Sequence, residues 1–397
     1  MELRKGDSHK MNETIRLFDK NAYEIEFDAT VISCVEIIKE DRAVYEVVLD
    51  QTLFFPEEGG QTPDQGTINN QTVVDVQIQN GIIIHTMNVS LQVGEKIHGM
   101  IDWSHRFHNM QQHSGEHIFS GLVHRAYGYD NVGFHLSDQI VTMDFNGPLT
   151  MEQASQIEYE ANQAIISNQE ILVSYPSKKE LEQLDYRSKI EIDGQVRIVT
   201  IPGVDVCACC APHVNRTGEI GILKIIDMKN YKGGVRISIL CGYRALADYR
   251  KKTEIISSLS VMLSANQESV VDSVVTTRNA NQLLKQELTQ VKKAYLSLKL
   301  ESIPKNQENI YIFEEDMDQQ AVRTVLNDKM QSHEGTIGIF IGNDVDGYRF
   351  LIGSLTKDVR ILMGALKENL NAKGGGSTTM IQGSFEATKE QVMKILS

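Results

Sequence analysis

Two short spacings of metal-binding residues stand out. His113-Ser-Gly-Glu-His117 sets two imidazoles four residues apart, and Cys209-Cys-Ala-Pro-His213 sets a thiol and an imidazole at the same separation. On a helix, residues four apart share one face with about 6 Å between Cβ atoms, so His113 and His117 can converge on one ion. Cys209 sits beside a proline and small residues, which predicts a loop able to fold over that helix. Three imidazoles and a thiolate form a tetrahedral nitrogen/sulfur set, and zinc suits that set best. A catalytic centre needs a position open to water or substrate, so one of the four is expected to bind weakly or be displaced. Cys207 and Cys210 read as small packing residues, with Cys207 able to stand in for Cys209. His105, His108, His124 and His135 read as surface or supporting groups.

The first pair also satisfies His-x-x-Glu-His, the pattern of inverted zinc peptidases, with Glu116 as general base. That chemistry needs a third carboxylate ligand from a later helix, for which Glu158 or Glu160 is available. It leaves Cys209 and His213 unused.

The elements that must hold these residues can be read in outline. Residues 22–98 alternate in the β manner at Tyr23–Cys34, Ala43–Leu49, Thr72–Val76 and Gly81–Met87, between Gly, Asn and Asp turns. The spacing predicts helices from Ser104 to Tyr127, from Thr150 to Ser167 behind a capping-box start, and over Lys178–Leu184. Strands are expected at Ile140–Phe145, Val196–Ile201, Ile220–Met228 and Val235–Cys241. Tyr243–Leu300 lacks Gly and Pro and reads as two long helices. Strands at Ile310–Phe313, Ile337–Ile341 and Phe350–Ser354, with a helix over Gln319–Gln331, complete the chain. The class is therefore α+β in four parts. Residues 1–98 form a small N-terminal β-barrel, 99–242 an α+β core holding the zinc residues, 243–304 a long helical arm or dimer seam, and 305–397 an α/β domain with a glycine-rich segment. Met11 marks the expected start of the ordered region.

Composition narrows the setting. Five cysteines, three of them within Cys207–Cys210, make a poor disulfide framework and fit a reducing compartment. No signal-peptide core and no run of 18 apolar residues is present, so the expected location is the cytoplasm, with no membrane partner. A net charge of -14 argues against nucleic acid, but the charge is unevenly spread. Lys224–Lys252 holds eight Lys/Arg against Asp227 and Asp248, and Arg278–Lys305 holds six against Glu287 and Glu301. Each stripe is compatible with RNA or with a solvated helix face.

Four passages, in order, resemble the alanyl-tRNA editing proteins, relatives of the editing domain of alanyl-tRNA synthetase, in their long form. They are Phe54-Phe55-Pro-Glu-Glu-Gly59-Gly60-Gln61 with Asp64 and Gly66; His113-Ser-Gly-Glu-His117; Asp205-Val-Cys-Ala-Cys209-Cys-Ala-Pro-His213 continuing through Thr217-Gly-Glu-Ile-Gly221; and Lys373-Gly-Gly-Gly376 with Met380 and Gly383. Many relatives carry Gly-Gly-Thr where this chain has Cys210-Ala211-Pro212.

The resemblance implies a zinc-dependent aminoacyl-tRNA hydrolase that removes serine or glycine from tRNA(Ala), with His113, His117, Cys209 and His213 as metal ligands. It makes residues 99–242 an editing core, with Gly59, Gly60 and Gln61 meeting the substrate and Glu116 and Gln61 as catalytic candidates. Gly59 and Gly60 would let backbone approach the substrate. A polar group placed for the serine hydroxyl discriminates against alanine more strongly than exclusion of one methyl, which favours serine. Alternatives are a deacylase for another tRNA, such as that of the threonine system, or a non-catalytic, zinc-stabilised RNA-binding protein. No Gly-x-x-x-x-Gly-Lys-Ser/Thr loop is present, so ATP-dependent activation is not expected. The long helices suggest a homodimer.

Overall fold

The computed structural model describes residues 12–39, 42–188, 195–304 and 307–396. Met11 and Lys305 lie outside them. The chain is α+β and divides into two compact units, residues 1–255 and 256–397.

The first unit begins with eight strands, β1 (Ile15–Arg16), β2 (Glu26–Lys39), β3 (Arg42–Leu49), β4 (Gln51–Thr52), β5 (Gly66–Ile68), β6 (Gln71–Gln79), β7 (Ile82–Met87) and β8 (Lys96–Ile101). β1 pairs with β4 in parallel. The other six form one antiparallel ladder in the order β2-β3-β7-β6-β5-β8, and β8 pairs back onto β2. Strict alternation drives this closure. Phe27, Ala29 and Val31 of β2 point inward with Val47, Ile68, Val76, Ile83 and Ile97, while their neighbours face water. The short strand β5 and strand β8, which complete the ring, lie outside the four stretches expected from alternation.

Helix α1 (Trp103–Tyr127) follows directly. Asp102 caps it, its side chain accepting from the His105 N–H at 3.1 Å, and Gly128 ends it at φ +69°. Every residue from Asn109 to Val123 is buried, because sheet and helix cover α1 on several sides. Next come β9 (Asn131–Leu136), β10 (Val141–Phe145), α2 (Met151–Ile166), β11 (Leu172–Ser174), α3 (Lys178–Leu181), β12 (Ile198–Ile201), β13 (Asp205–Ala208), β14 (Leu223–Tyr231) and β15 (Gly234–Cys241). β14-β15-β10-β9 is a four-stranded antiparallel sheet, and β11-β12-β13 a three-stranded one. Ile118, Phe119 and Leu122 of α1 pack with Met143, Ile237 and Ile239 of the larger sheet and Ile157 and Ala161 of α2. Thr150 and Gln153 close the expected capping box on α2. A Cβ on Gly115 would lie 2.3 Å from Cys241 Sγ, so β15 approaches α1 to a distance that only glycine admits.

Two expectations need correction in detail. The helix at Lys178 ends at Leu181, not Leu184, and the strand expected from Ile220 starts at Leu223 because Thr217–Ile220 winds into a 3₁₀ turn.

Helix α4 (Gly242–Leu263) spans the division between the units. In the second unit, α5 (Val270–Glu301) precedes β16 (Asn309–Glu314), α6 (Gln319–Met330), β17 (Thr336–Asn343), β18 (Gly347–Gly353), α7 (Arg360–Leu370), β19 (Lys373–Gly376), β20 (Met380–Phe385) and α8 (Lys389–Leu396). The sheet order is β16-β17-β18-β20-β19, with only β16 and β17 parallel. Leu296 and Leu300 of α5 join α6 on one face, and α7 and α8 cover the other. The glycine-rich segment is the exposed edge strand β19.

Candidate metal centre

Helix α1 presents His113 and His117 one turn apart, and the irregular chain after β13 carries Cys209 and His213 towards them. The donor atoms of these four residues lie within 4.8 Å of one another. Cys209 Sγ is 3.5 Å from His113 Nε2 and 3.3 Å from His213 Nε2. For metal–nitrogen bonds near 2.0–2.1 Å and a metal–sulfur bond near 2.3 Å, a tetrahedron has nitrogen–sulfur edges of about 3.5 Å. The spacing fits one small ion.

What surrounds the imidazoles fits as well. Each Nδ1 has an oxygen partner: His113 meets Gln61 Oε1 at 2.7 Å, His117 meets Asp205 Oδ2 at 3.0 Å, and His213 meets Ser114 Oγ at 3.0 Å. Anchoring Nδ1 fixes the ring and leaves Nε2 as the donor. Burial alone would raise the Cys209 thiol, but the surrounding imidazoles, His113 foremost, hold it well below the ordinary thiol range. Burial pushes His213 down to about 3, which keeps its imidazole neutral. Asp205 stays below the usual carboxylate range because hydrogen bonds from His117 and Arg187 outweigh its burial. Burial pushes the Cys207 thiol up to about 11 and also raises Cys210. Cys207 joins His117 and Asp205 in a second, overlapping donor group.

Gln61 is fully buried. Its Oε1 serves His113, while its Nε2 has no hydrogen-bond partner among the described residues. The Gly59-Gly60 turn puts it there. Both glycines adopt positive φ, +63° and +83°, and a Cβ on Gly60 would lie 2.5 Å from the carbonyl oxygen of Phe134. Gly60 O accepts from Leu136 N at 2.7 Å, and Thr62 N donates to Leu136 O at 3.2 Å, so the turn is stitched to β9. Arg106 of α1, fully buried, donates to both oxygens of Asp64 and to the carbonyls of Ala22 and Leu53. The closed sheet and the helix carrying His113 and His117 are thus locked at the glycine motif.

Glu116 is buried beside the cluster. Its Oε1 accepts from Ser120 Oγ and Asn131 Nδ2, both at 2.6 Å, and its Oε2 lies 4.0 Å from His117 Nε2. Glu158 instead meets Lys224 Nζ at 2.5 Å and the Ile225 N–H at 2.7 Å. Glu160 accepts from Gln156 and faces Arg125. Neither turns to the imidazoles, which removes the third ligand the peptidase pattern requires.

Four partners of the site were not singled out by their own spacing: Asp205, Arg187, Ser114 and Asn131. Asp205 opens the cysteine motif, and Ser114 lies inside the histidine motif. Arg187 and Asn131 carry no local signal. A cleft of about 820 Å³ opens beside this group, its wall including Asn131, Arg187, Asp205 and Cys207.

Comparison with known proteins agrees with this geometry. Residues 7–105 match the family model described as tRNA synthetases class II (A), and residues 196–238 match that of the threonyl and alanyl tRNA synthetase second additional domain. The chain is 27% identical to the alanyl-tRNA editing protein AlaX-L of Pyrococcus horikoshii over 96% of both chains. It is 29% identical to the alanyl-tRNA editing protein Aarsd1 of Rattus norvegicus over 94% of both. It is also 29% identical to an alanine–tRNA ligase of Ignicoccus hospitalis, with 97% of this chain aligned to 42% of that protein. Matched from end to end by editing proteins and only to part of a ligase, the chain belongs to the alanyl-tRNA editing protein family.

Proposed function

We propose that this protein is a zinc-dependent hydrolase acting on tRNA(Ala) that carries the wrong amino acid, serine in preference to glycine. The observation that carries the reading is the convergence of three anchored imidazoles and one thiol on a single point. Full-length likeness to proteins named for alanyl-tRNA editing supplies the substrate class and disfavours the threonine system. The cytoplasm, where tRNA is charged, is its proposed location.

The ligands in this reading are His113, His117, Cys209 and His213. A zinc ion held by them supplies Lewis acidity to an ester carbonyl. The chain's own groups do the rest. Glu116, its Oε1 fixed by Ser120 and Asn131, presents a carboxylate beside His117 to take a proton from the attacking water and return it to the departing ribose hydroxyl. Gln61 orients His113 through Oε1 and keeps an amide N–H for the substrate. A buried donor without a partner favours a substrate that brings an acceptor, and the serine hydroxyl is one. Gly59 and Gly60, both exposed at positive φ beside Gln61, offer their backbone to the substrate.

Helix α5 supports a homodimer. Val274, Leu284, Leu288, Val291, Tyr295 and Leu298 follow a four-three repeat and are exposed, while Leu296 and Leu300 on another side of the helix are buried against the sheet.

The deciding assay measures hydrolysis of seryl-, glycyl- and alanyl-tRNA(Ala) by wild type and Cys209→Ala, with bound zinc quantified. Selective clearance of seryl-tRNA by wild type, and loss of both zinc and turnover in the variant, is expected. Zinc without hydrolysis of any of the three would leave a zinc-stabilised RNA-binding protein instead.

A further inference from the structure

We infer that Arg187 is a positioning residue for the metal centre, acting on His117 through Asp205, and that Gly121 provides the clearance this contact needs. The inference rests on the zinc reading above.

The guanidinium of Arg187 meets Asp205 in a two-pronged contact, Nε to Oδ1 and Nη2 to Oδ2, each at 2.8 Å. Oδ2 also accepts from His117 Nδ1 at 3.0 Å. The carboxylate is therefore fixed on one edge by a planar fork and turned to the imidazole on the other. A lysine cannot reproduce that fork, since an ammonium is a single point of charge. The backbone reinforces the arrangement. Arg187 N donates to Val206 O at 2.9 Å, and Ala208 N donates to Arg187 O at 2.9 Å, so Arg187 is strapped along β13.

Gly121 lies on α1, one turn beyond His117. A Cβ there would stand 2.6 Å from Val204 O and 2.7 Å from Asp205 Cβ. Glycine at this helical position lets β13 come close enough for Asp205 to reach His117. Residues 185–188, Gly121 and Asp205 also line the cleft beside the site. One wall of the cleft and the orientation of a metal donor thus share a single ion pair.

The test uses the full chain and reads metal binding, not turnover. Zinc affinity is measured by chelator competition, and the visible spectrum of the cobalt-substituted protein reports the geometry of the donors. Arg187→Met is expected to lose about 10–100-fold in zinc affinity with a shifted cobalt spectrum. Arg187→Lys keeps the charge and is expected to fall between that variant and wild type. Gly121→Ala should reproduce the Arg187→Met effect, although it removes no polar group. Arg125→Met, a change of an exposed arginine at the same cleft, should bind zinc as wild type does. If Arg187→Met does not fold, Arg187→Lys decides, because its weaker affinity with an unchanged melting transition supports the inference. Wild-type affinity and spectrum in the folded Arg187 variants would overturn it. A wild-type protein that takes up no zinc would instead overturn the zinc reading itself.

Discussion

A neutral imidazole that offers Nε2 to an ion carries its proton on Nδ1, and an acceptor placed there fixes that tautomer and the direction of the ring. Gln61 plays that part for His113 with an amide oxygen, without adding charge to the site. Gln61→Leu, similar in volume, is expected to weaken zinc binding about 10–100-fold while leaving the melting temperature nearly unchanged, because it removes one acceptor and one unpaired donor together. A large drop in melting temperature with wild-type zinc affinity would contradict this. A second histidine illustrates burial without chemistry. His85 lies wholly inside the closed sheet between Thr52 Oγ1 at 2.9 Å and Val47 O at 3.2 Å, and burial lowers it to about 4. Its folded-state value lies below its unfolded value near 6.5, so between these two pH values the unfolded chain binds the extra proton. Stability from this group is whole above pH 6.5 and falls as pH drops towards 4, by about 3 kcal/mol. Denaturant melts at pH 7 and pH 4.5 should show a smaller acid loss in His85→Gln than in wild type. An equal loss in the two proteins would mean that His85 does not titrate this way. Nothing in the spacing around His85 distinguished it from a surface residue, because the partners that bury it come from β3 and β4.

The main helices could be read from the chain because their signals are local. Thr150 and Gln153 box α2, and the four-residue step brings His113 and His117 together, while Asp102 and Gly128, which bracket α1, lie outside the span that spacing alone predicts. The closed ladder was harder to read. β5 is three residues long, too short for alternation to register, and exists through pairing with β6 and β8. The supports of the site were harder still, since Gln61 and Asp205 reach the histidines from 52 and 88 residues away. The glycine turn is where such distant pieces meet, and two substitutions probe it. Gly60→Ala forces a side chain into a positive-φ position and against the Phe134 carbonyl oxygen. It is expected to destabilise the protein by roughly 1–3 kcal/mol and to weaken zinc binding through Gln61. Arg106→Met leaves Asp64 as a buried, unpaired carboxylate, with an expected loss of about 3–5 kcal/mol. Chemical denaturation checks both. If Arg106→Met melts like wild type, the Asp64 contact is not holding the turn.

At the scale of the whole molecule, the question is how α5 would meet a second copy. In the four-three repeat, Val274, Asn281, Leu288 and Tyr295 fill one class of seam position, and Thr277, Leu284, Val291 and Leu298 fill the other. The flanking positions decide direction. Arg278, Lys285, Lys292 and Lys299 occupy one flank, so an antiparallel pair would set like charges against each other. A parallel pair sets that flank against the other, where Glu287 of one copy would join Lys292 of the second, which already pairs with Asp316 of its own protomer at 2.6 Å. Asn281, a polar residue at a seam position, favours two parallel strands in register. The full-length protein is therefore expected to sediment as a dimer, and Leu288→Glu as a monomer with its fold intact. Direction can be tested separately with Leu298→Cys. Leu298 lies 24 residues beyond Val274, about 36 Å along the helix, so two such cysteines meet only when the helices run parallel. Oxidation should then give a disulfide-linked dimer that wild type does not form. A dimer that Leu298→Cys fails to cross-link would mean antiparallel helices or another seam. A monomeric wild type would mean that α5 serves some other contact.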